Sequence, residues 1–145
     1  MRKSMELLIS KYTQLVERKN AEATKRTLLS TQGINLWLQL RDSIKQIARD
    51  FNDAVKSEAV TWDESNPISL SITRSIDKAT LTGTYEGSQN SATFRCTQPE
   101  IDEAFIQGVQ SEELCFFHVD PVNGRNLMNK TDDIAYGLFD KFVSK

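Results

Sequence analysis

Histidine and cysteine are scarce in this chain of 145 residues, which contains one histidine, His118, and two cysteines, Cys96 and Cys115. A single histidine excludes a two-histidine metal site built within one chain. Two cysteines are too few for the disulfide scaffold of a small secreted domain. We therefore expect reduced thiols, no metal, no other cofactor and a cytoplasmic location.

Long apolar runs and glycine-rich loops are also missing. No segment approaches the roughly 20 apolar residues that a membrane-spanning helix requires, and the apolar run at residues 7–9 is too short for a secretory signal. The six glycines are scattered, and no serine lies in a Gly-x-Ser-x-Gly turn. These absences disfavour a membrane partner, nucleotide chemistry and, more generally, an enzymatic role.

The net charge of −2 is too small to indicate a nucleic-acid partner, but the charge is unevenly distributed. Residues 1–31 carry seven Lys or Arg and three Glu, whereas residues 98–145 carry nine Asp or Glu and four Lys or Arg. A basic front and an acidic back can attract each other within one chain or between chains. The basic front has few aromatic residues that could stack on bases, which further disfavours a nucleic-acid partner.

The composition is otherwise typical of a folded protein, with 39% hydrophobic and 26% charged residues. The length favours one domain over residues 1–145. Residues 4–31 predict a helix whose second half has almost nothing to bury, so it is either a solvated helix or a helix that projects from the body. Its apolar stripe, at spacings of three and four residues, consists of Met5, Leu8, Ile9, Tyr12, Leu15 and Val16.

Residues 34–58 predict a second helix with a continuous apolar stripe from Trp37 to Val55. Joining both helices into a single rod through Gly33 is an alternative. We favour a break at Gln32-Gly33, because glycine in a helix interior costs about 1 kcal/mol relative to alanine.

After Pro67 the apolar period changes from 3.6 to 2, which predicts an antiparallel meander of about five strands. Leu127 and Met128 are candidates for a short further strand, after a turn signal at residues 120–124. The five predicted strands cover about 68–73, 79–85, 91–97, 103–109 and 113–119.

Thr131-Asp132-Asp133 then supplies an N-cap and first-turn acids for a last helix, with an apolar stripe from Ile134 to Phe142. The resulting prediction is an α+β fold: two N-terminal helices, the meander, and a C-terminal helix that covers one sheet face together with the second helix.

The other face of the predicted sheet is rich in hydroxyl groups. A solvent-exposed face explains this best, since β-branched threonine suits exposed strands, and a contact surface is the alternative. The hydroxyl residues are Ser69, Ser71, Thr73, Thr80, Thr82, Thr84, Ser91, Thr93 and Thr97.

Few residues suggest catalysis. Cys115 and His118 are three residues apart, so a strand would point them to opposite faces and prevent a thiol–imidazole dyad. We interpret His118 and Asp120 as polar residues at a strand end rather than as metal ligands. The carboxylates at residues 100–103 and 112–113 lie at opposite ends of a predicted hairpin, which favours a solvated acidic rim over an acid–base pair.

These patterns favour a small non-enzymatic protein that binds another protein or further copies of itself through the stripe of the first helix. The alternative is a small-molecule-binding domain with an apolar pocket between sheet and helices. Its candidate walls, each equally suited to the core, are Trp62, Tyr85, Phe94 and Phe116.

Overall fold

The computed structural model describes residues 2–120, 124–128 and 130–144; for Arg2, Asp120 and Gly124–Met128 it describes the backbone alone. The predicted turn therefore falls largely outside the described residues. In chain order the elements are α1 (Arg2–Val55), β1 (Val60–Asp63), β2 (Ser69–Arg74), β3 (Thr80–Glu86), β4 (Ser91–Cys96), β5 (Ile101–Gln110), β6 (Glu113–Asp120), β7 (Gly124–Met128) and α2 (Thr131–Ser144).

The strands form one antiparallel sheet in which each strand pairs with the next along the chain. The α+β class and the antiparallel meander are confirmed. The prediction of about five strands, with a short further strand at Leu127 and Met128, falls one strand short: the sheet has seven strands, and β7 is that further strand. The strand that the pattern missed, β1, is four residues long and too short for a periodic signal. The Asn52 side chain of α1 fixes it, donating to the Val60 carbonyl (2.9 Å) and accepting from the Val60 amide (3.1 Å).

The predicted break at Gln32-Gly33 is also wrong, because α1 runs unbroken from Arg2 to Val55. Glycine is present here for close approach to the sheet. A Cβ on Gly33 would lie 2.6 Å from Gln107 Oε1 and 2.7 Å from the Tyr85 hydroxyl group. Local propensity argued for a break, whereas the packing of the helix against β3 and β5 requires a residue without a side chain.

The core lies between the sheet and the two helices. From α1 it takes Trp37, Leu40, Ile44 and Ala48, all fully buried. From α2 it takes Ile134, Ala135, Leu138, Phe139 and Phe142. The predicted cover of one sheet face by the second helical stripe and the last helix is thus confirmed, with the second stripe belonging to the C-terminal half of α1.

The two helices run side by side in the same direction. Ser43 donates a hydrogen bond to Asp132 (2.7 Å) near the start of α2. Two turns further along, the Phe51 and Phe139 rings meet edge to face at 5.3 Å. The C-terminal end of α2 is tied to the sheet, because Arg74 donates to the Phe142 carbonyl at 2.7 Å.

Because the strands form a meander, the β1–β2, β3–β4 and β5–β6 connections lie at the same end of the sheet. The first helix crosses this end between Gly33 and Trp37. Gln107 donates to the Gly33 carbonyl (2.7 Å), and the Trp37 indole donates to the Pro67 carbonyl (2.9 Å). These bonds fix the point at which α1 leaves the sheet.

The contact at Gly33 predicts opposite effects for two Gly→Ala substitutions in helices. Gly33→Ala should lower the free energy of unfolding by about 1–2 kcal/mol, because the new methyl group displaces the buried Gln107 and Tyr85 side chains and strains their hydrogen bonds. Gly137→Ala in α2 is the matched control, since its Cβ meets nothing within 4 Å. It should gain up to about 1 kcal/mol from helix propensity.

Urea unfolding of both variants checks this. A Gly33→Ala variant as stable as Gly137→Ala would contradict the assigned role of the close approach.

Candidate functional site

Residues 3–27 of α1 are exposed at every position, and burial begins only at Leu28. We call this stretch the projecting segment; at 1.5 Å per residue it is roughly 37 Å long. Proline and glycine are absent between residues 2 and 32. Threonine hydroxyl groups in this segment donate hydrogen bonds to the carbonyl group four residues earlier: Thr13 to Ile9 (2.9 Å) and Thr24 to Asn20 (3.0 Å). The helix itself therefore provides these polar side chains with hydrogen-bond partners.

The projecting segment carries the predicted apolar stripe, and the whole stripe is solvent-exposed. The six side chains Met5, Leu8, Ile9, Tyr12, Leu15 and Val16 have exposed fractions between 39% and 68%. In heptad notation they occupy positions a, d, e, a, d and e of two successive repeats. Such a three-position stripe is wider than the two-position seam of a simple coiled coil. A contiguous exposed apolar surface of this kind is typical of an interaction site.

The stripe points to the same side of α1 as the residues that cover the sheet. Leu8 and Trp37 are 29 residues apart and Leu15 and Leu40 are 25 apart, close to eight and seven whole helical turns. The stripe therefore continues the core-facing surface of α1 beyond the described strands of the sheet.

Basic residues border one side of the stripe. Lys11, Arg18 and Lys25 recur every seven residues, at heptad position g. All three side chains are exposed, so this border presents positive charge to an acidic partner surface. The Glu22–Arg26 pair of the projecting segment, at 3.9 Å, is exposed on both sides and contributes little.

The predicted pocket walls occupy a different part of the molecule. Tyr85, Phe94 and Phe116 are buried in the core, and Trp37 lies against the first two at ring distances of 5.8 and 6.0 Å. The fourth, Trp62, is half-buried on β1 beneath the Arg49 guanidinium group, 5.7 Å from the ring centre. The structure brings three of the four together as packed core, and a small-molecule role stays a prediction.

Glu103 forms a cluster that the sequence analysis missed. The sequence predicts a solvated acidic rim at residues 100–103, but the Glu103 carboxylate lies on the core face of β5 with 14% of the side chain exposed. It accepts hydrogen bonds from the His118 Nε2 atom of β6 and from the Lys141 ammonium group of α2. The strand register identifies Glu103 as a core-face residue, because it stands directly opposite the core residue Phe94.

The electrostatics of this cluster are those of a structural ion pair. Burial acts to raise the pKa of the Glu103 carboxyl group, but the hydrogen bonds from Lys141 and His118 outweigh it, so that the pKa lies below its ordinary value of 4.5. The His118 ring also packs on Phe105 at 5.1 Å. The cluster joins α2 to the sheet and holds its carboxylate charged.

The remaining candidates do not converge on a reactive site. Cys115 stands opposite Gly108 and His118 opposite Phe105, so the two face opposite sides of β6. Burial raises the pKa of the Cys115 thiol, which disfavours the reactive thiolate. The side chain of Asp120 lies outside the described part of the chain. Among the described residues, no group of three or more His, Cys, Asp or Glu side chains is placed to hold a metal ion.

The hydroxyl-rich face is aligned across β2, β3 and β4. Ser71 stands opposite Thr82, and Thr84 opposite Thr93. The Thr73 and Thr80 hydroxyl groups lie 3.2 Å apart. These side chains are exposed or half-exposed, and they share the face with two exposed charged residues, Arg95 opposite Thr82 and Glu86 opposite Ser91.

Comparison with known proteins gives no relative. No family model, curated protein or solved structure matches the chain. Within the described residues, no helix is both long enough and apolar enough to cross a membrane. Any functional assignment therefore depends on the surface itself.

The Glu103 cluster predicts a pH-dependent contribution to stability. Because the folded pKa lies below the unfolded one, the stabilisation is complete above about pH 4.5 and is lost as the pH falls through the folded pKa. Glu103→Gln should therefore be about 1 kcal/mol less stable than the parent chain at pH 7, and the difference should shrink on acidification below pH 4.5.

Unfolding of both proteins between pH 3 and pH 7 provides the measurement. Asp102→Asn is the control: Asp102 lies one residue away, and its pair with Arg95 at 3.5 Å is exposed on both sides. A gap between Glu103→Gln and the parent that stays constant over this range would refute the assignment.

Proposed function

We propose that this chain is a protein-interaction module that assembles with further copies of itself through the stripe of the projecting segment. One observation carries the proposal: six apolar side chains are exposed on a continuous helix that its own sheet does not cover. The alternatives of an enzyme or a nucleic-acid binder have no comparable surface among the described residues.

The energetics favour covering the stripe. Full burial of a large apolar side chain contributes about 1.5–3 kcal/mol, and these six are about half-exposed. Covering them would add several kcal/mol, against which the ordering of interface side chains must be set. The projecting segment is already part of a continuous helix anchored at Gly33, so docking orders little additional backbone.

The width of the stripe indicates what kind of surface covers it. A seam at positions a and d suits a single partner helix, whereas a stripe at a, d and e suits packing against two helices at once. The proposed partner surface is therefore helical and composed of more than one helix.

Adjacent leucines allow a matched test of the stripe. Leu8 lies within it at 60% exposure, and Leu7 lies off it at 56%. Leu8→Asp should leave the chain monomeric at 16.5 kDa, because a carboxylate would be buried in the contact. The parent chain and Leu7→Asp should both show the same higher multiple of that mass by light scattering after size exclusion.

A parent chain that stays at 16.5 kDa across the concentration range would remove self-assembly as the function. A Leu8→Asp chain with the parent's assembly state would show that the stripe does not form the contact.

A further inference from the structure

A second apolar surface lies between α1 and α2, on the solvent side of the helical layer. It is a groove of about 490 Å³ lined by Ile47 and Phe51 of α1 and by Tyr136, Phe139 and Val143 of α2. The edge-to-face pair of Phe51 and Phe139 forms its floor. Tyr136, with 67% of its surface exposed, stands at its rim.

The edges of the groove are acidic. Asp50 of α1 and Asp140 of α2 complete its lining, and these described lining residues include no lysine or arginine. Asp50 is held in place by a hydrogen bond from Gln46 (2.9 Å), and a third carboxylate, Asp132, stands at the start of the same side of α2. The groove thus combines an apolar floor with negative charge on both helices.

We infer that the groove between α1 and α2 receives the stripe of the projecting segment from a second copy of this chain. The inference rests on the proposed self-assembly and names the surface that accepts the stripe. Two parallel helices flanking one apolar groove are the surface that an a, d, e stripe requires.

The groove accommodates about two turns of the stripe. The stripe extends over residues 5–16, roughly 17 Å of helix, whereas the groove lining extends over residues 136–143 of α2, roughly 11 Å, and over residues 47–51 of α1. A third helix laid in the groove would therefore contact it over about two of its turns.

The charges also agree. The stripe is bordered by Lys11 and Arg18, and the groove by Asp50 and Asp140. Opposite charges at the rim of an interface mainly guide association and fix its register, while the apolar contact supplies the affinity. Higher salt should therefore weaken the assembly without abolishing it.

The stripe cannot fill the groove of its own chain. The centre of the stripe, near residue 10, and the groove residue Ile47 lie on the same unbroken helix, 37 residues and roughly 55 Å apart. Only another copy can place its stripe there.

Because the donor and acceptor surfaces differ, each can be disabled separately. Leu8→Asp places a carboxylate in the stripe and leaves the groove unchanged. A second variant, Tyr136→Lys with Asp140→Lys, keeps the stripe and places positive charge in the groove. Both groove positions are exposed, so the substitutions leave the core intact.

The test measures the mass of each variant and of their equimolar mixture by light scattering after size exclusion. Each variant alone should be a monomer of 16.5 kDa, and the mixture should contain a one-to-one complex of twice that mass. Ile76→Lys, a change at an exposed apolar residue of the β2–β3 connection, is the control for added positive charge and should assemble like the parent.

The possible failures are distinguishable. A monomeric parent chain would remove the proposed function together with this inference. An assembling parent whose groove variant also assembles normally would overturn the inference alone and indicate contact between stripes. A mixture that stays at 16.5 kDa, while the parent assembles, would likewise overturn it.

Discussion

The hydrogen bond from the buried Gln107 side chain to the Gly33 carbonyl is the constraint on which the arrangement of the helix depends. It couples β5 to α1, and the Tyr85 hydroxyl group extends it to β3 by donating to Gln107 Oε1 at 3.0 Å. A buried amide whose partners were withdrawn would cost about 1–3 kcal/mol, so the three groups have to remain together. The missing side chain at Gly33 allows the sheet this close to the helix axis.

This contact divides one helix into two parts with different tasks. C-terminal to Gly33, the apolar side of α1 packs against the sheet and α2. N-terminal to it, the same side continues without cover. Since the helix is unbroken there, the orientation of the stripe is set by packing that lies roughly 35 Å from the centre of the stripe. A flexible tail with the same sequence would have no such fixed direction and would lose more entropy on binding.

Periodicity alone predicted much of this structure. The 3.6-residue stripes of α1 and α2 and the alternation in β2–β4 depend on local pattern, and the structure reproduces them. The predicted break at Gly33 was wrong because helix propensity describes only the local chain. This glycine is required by its contact with Gln107, which lies 74 positions away in the sequence. Glu103 was misplaced because its partners come from β6 and α2, and strand register was needed to bring them together. The groove could not be predicted from periodicity, because it depends on how two helices lie side by side. The apolar stripe of one helix carries no information about the position of the other.

The short strand β1 has a consequence for how copies of this chain can associate. It lies at one edge of the sheet, where unpaired backbone groups invite another strand to add. Asn52 occupies both the amide and the carbonyl of Val60, and β1 ends after four residues. An incoming strand would find too few free groups in register to extend the sheet at this edge. The side chain that orders β1 therefore also hinders the addition of a further strand at this edge of the sheet.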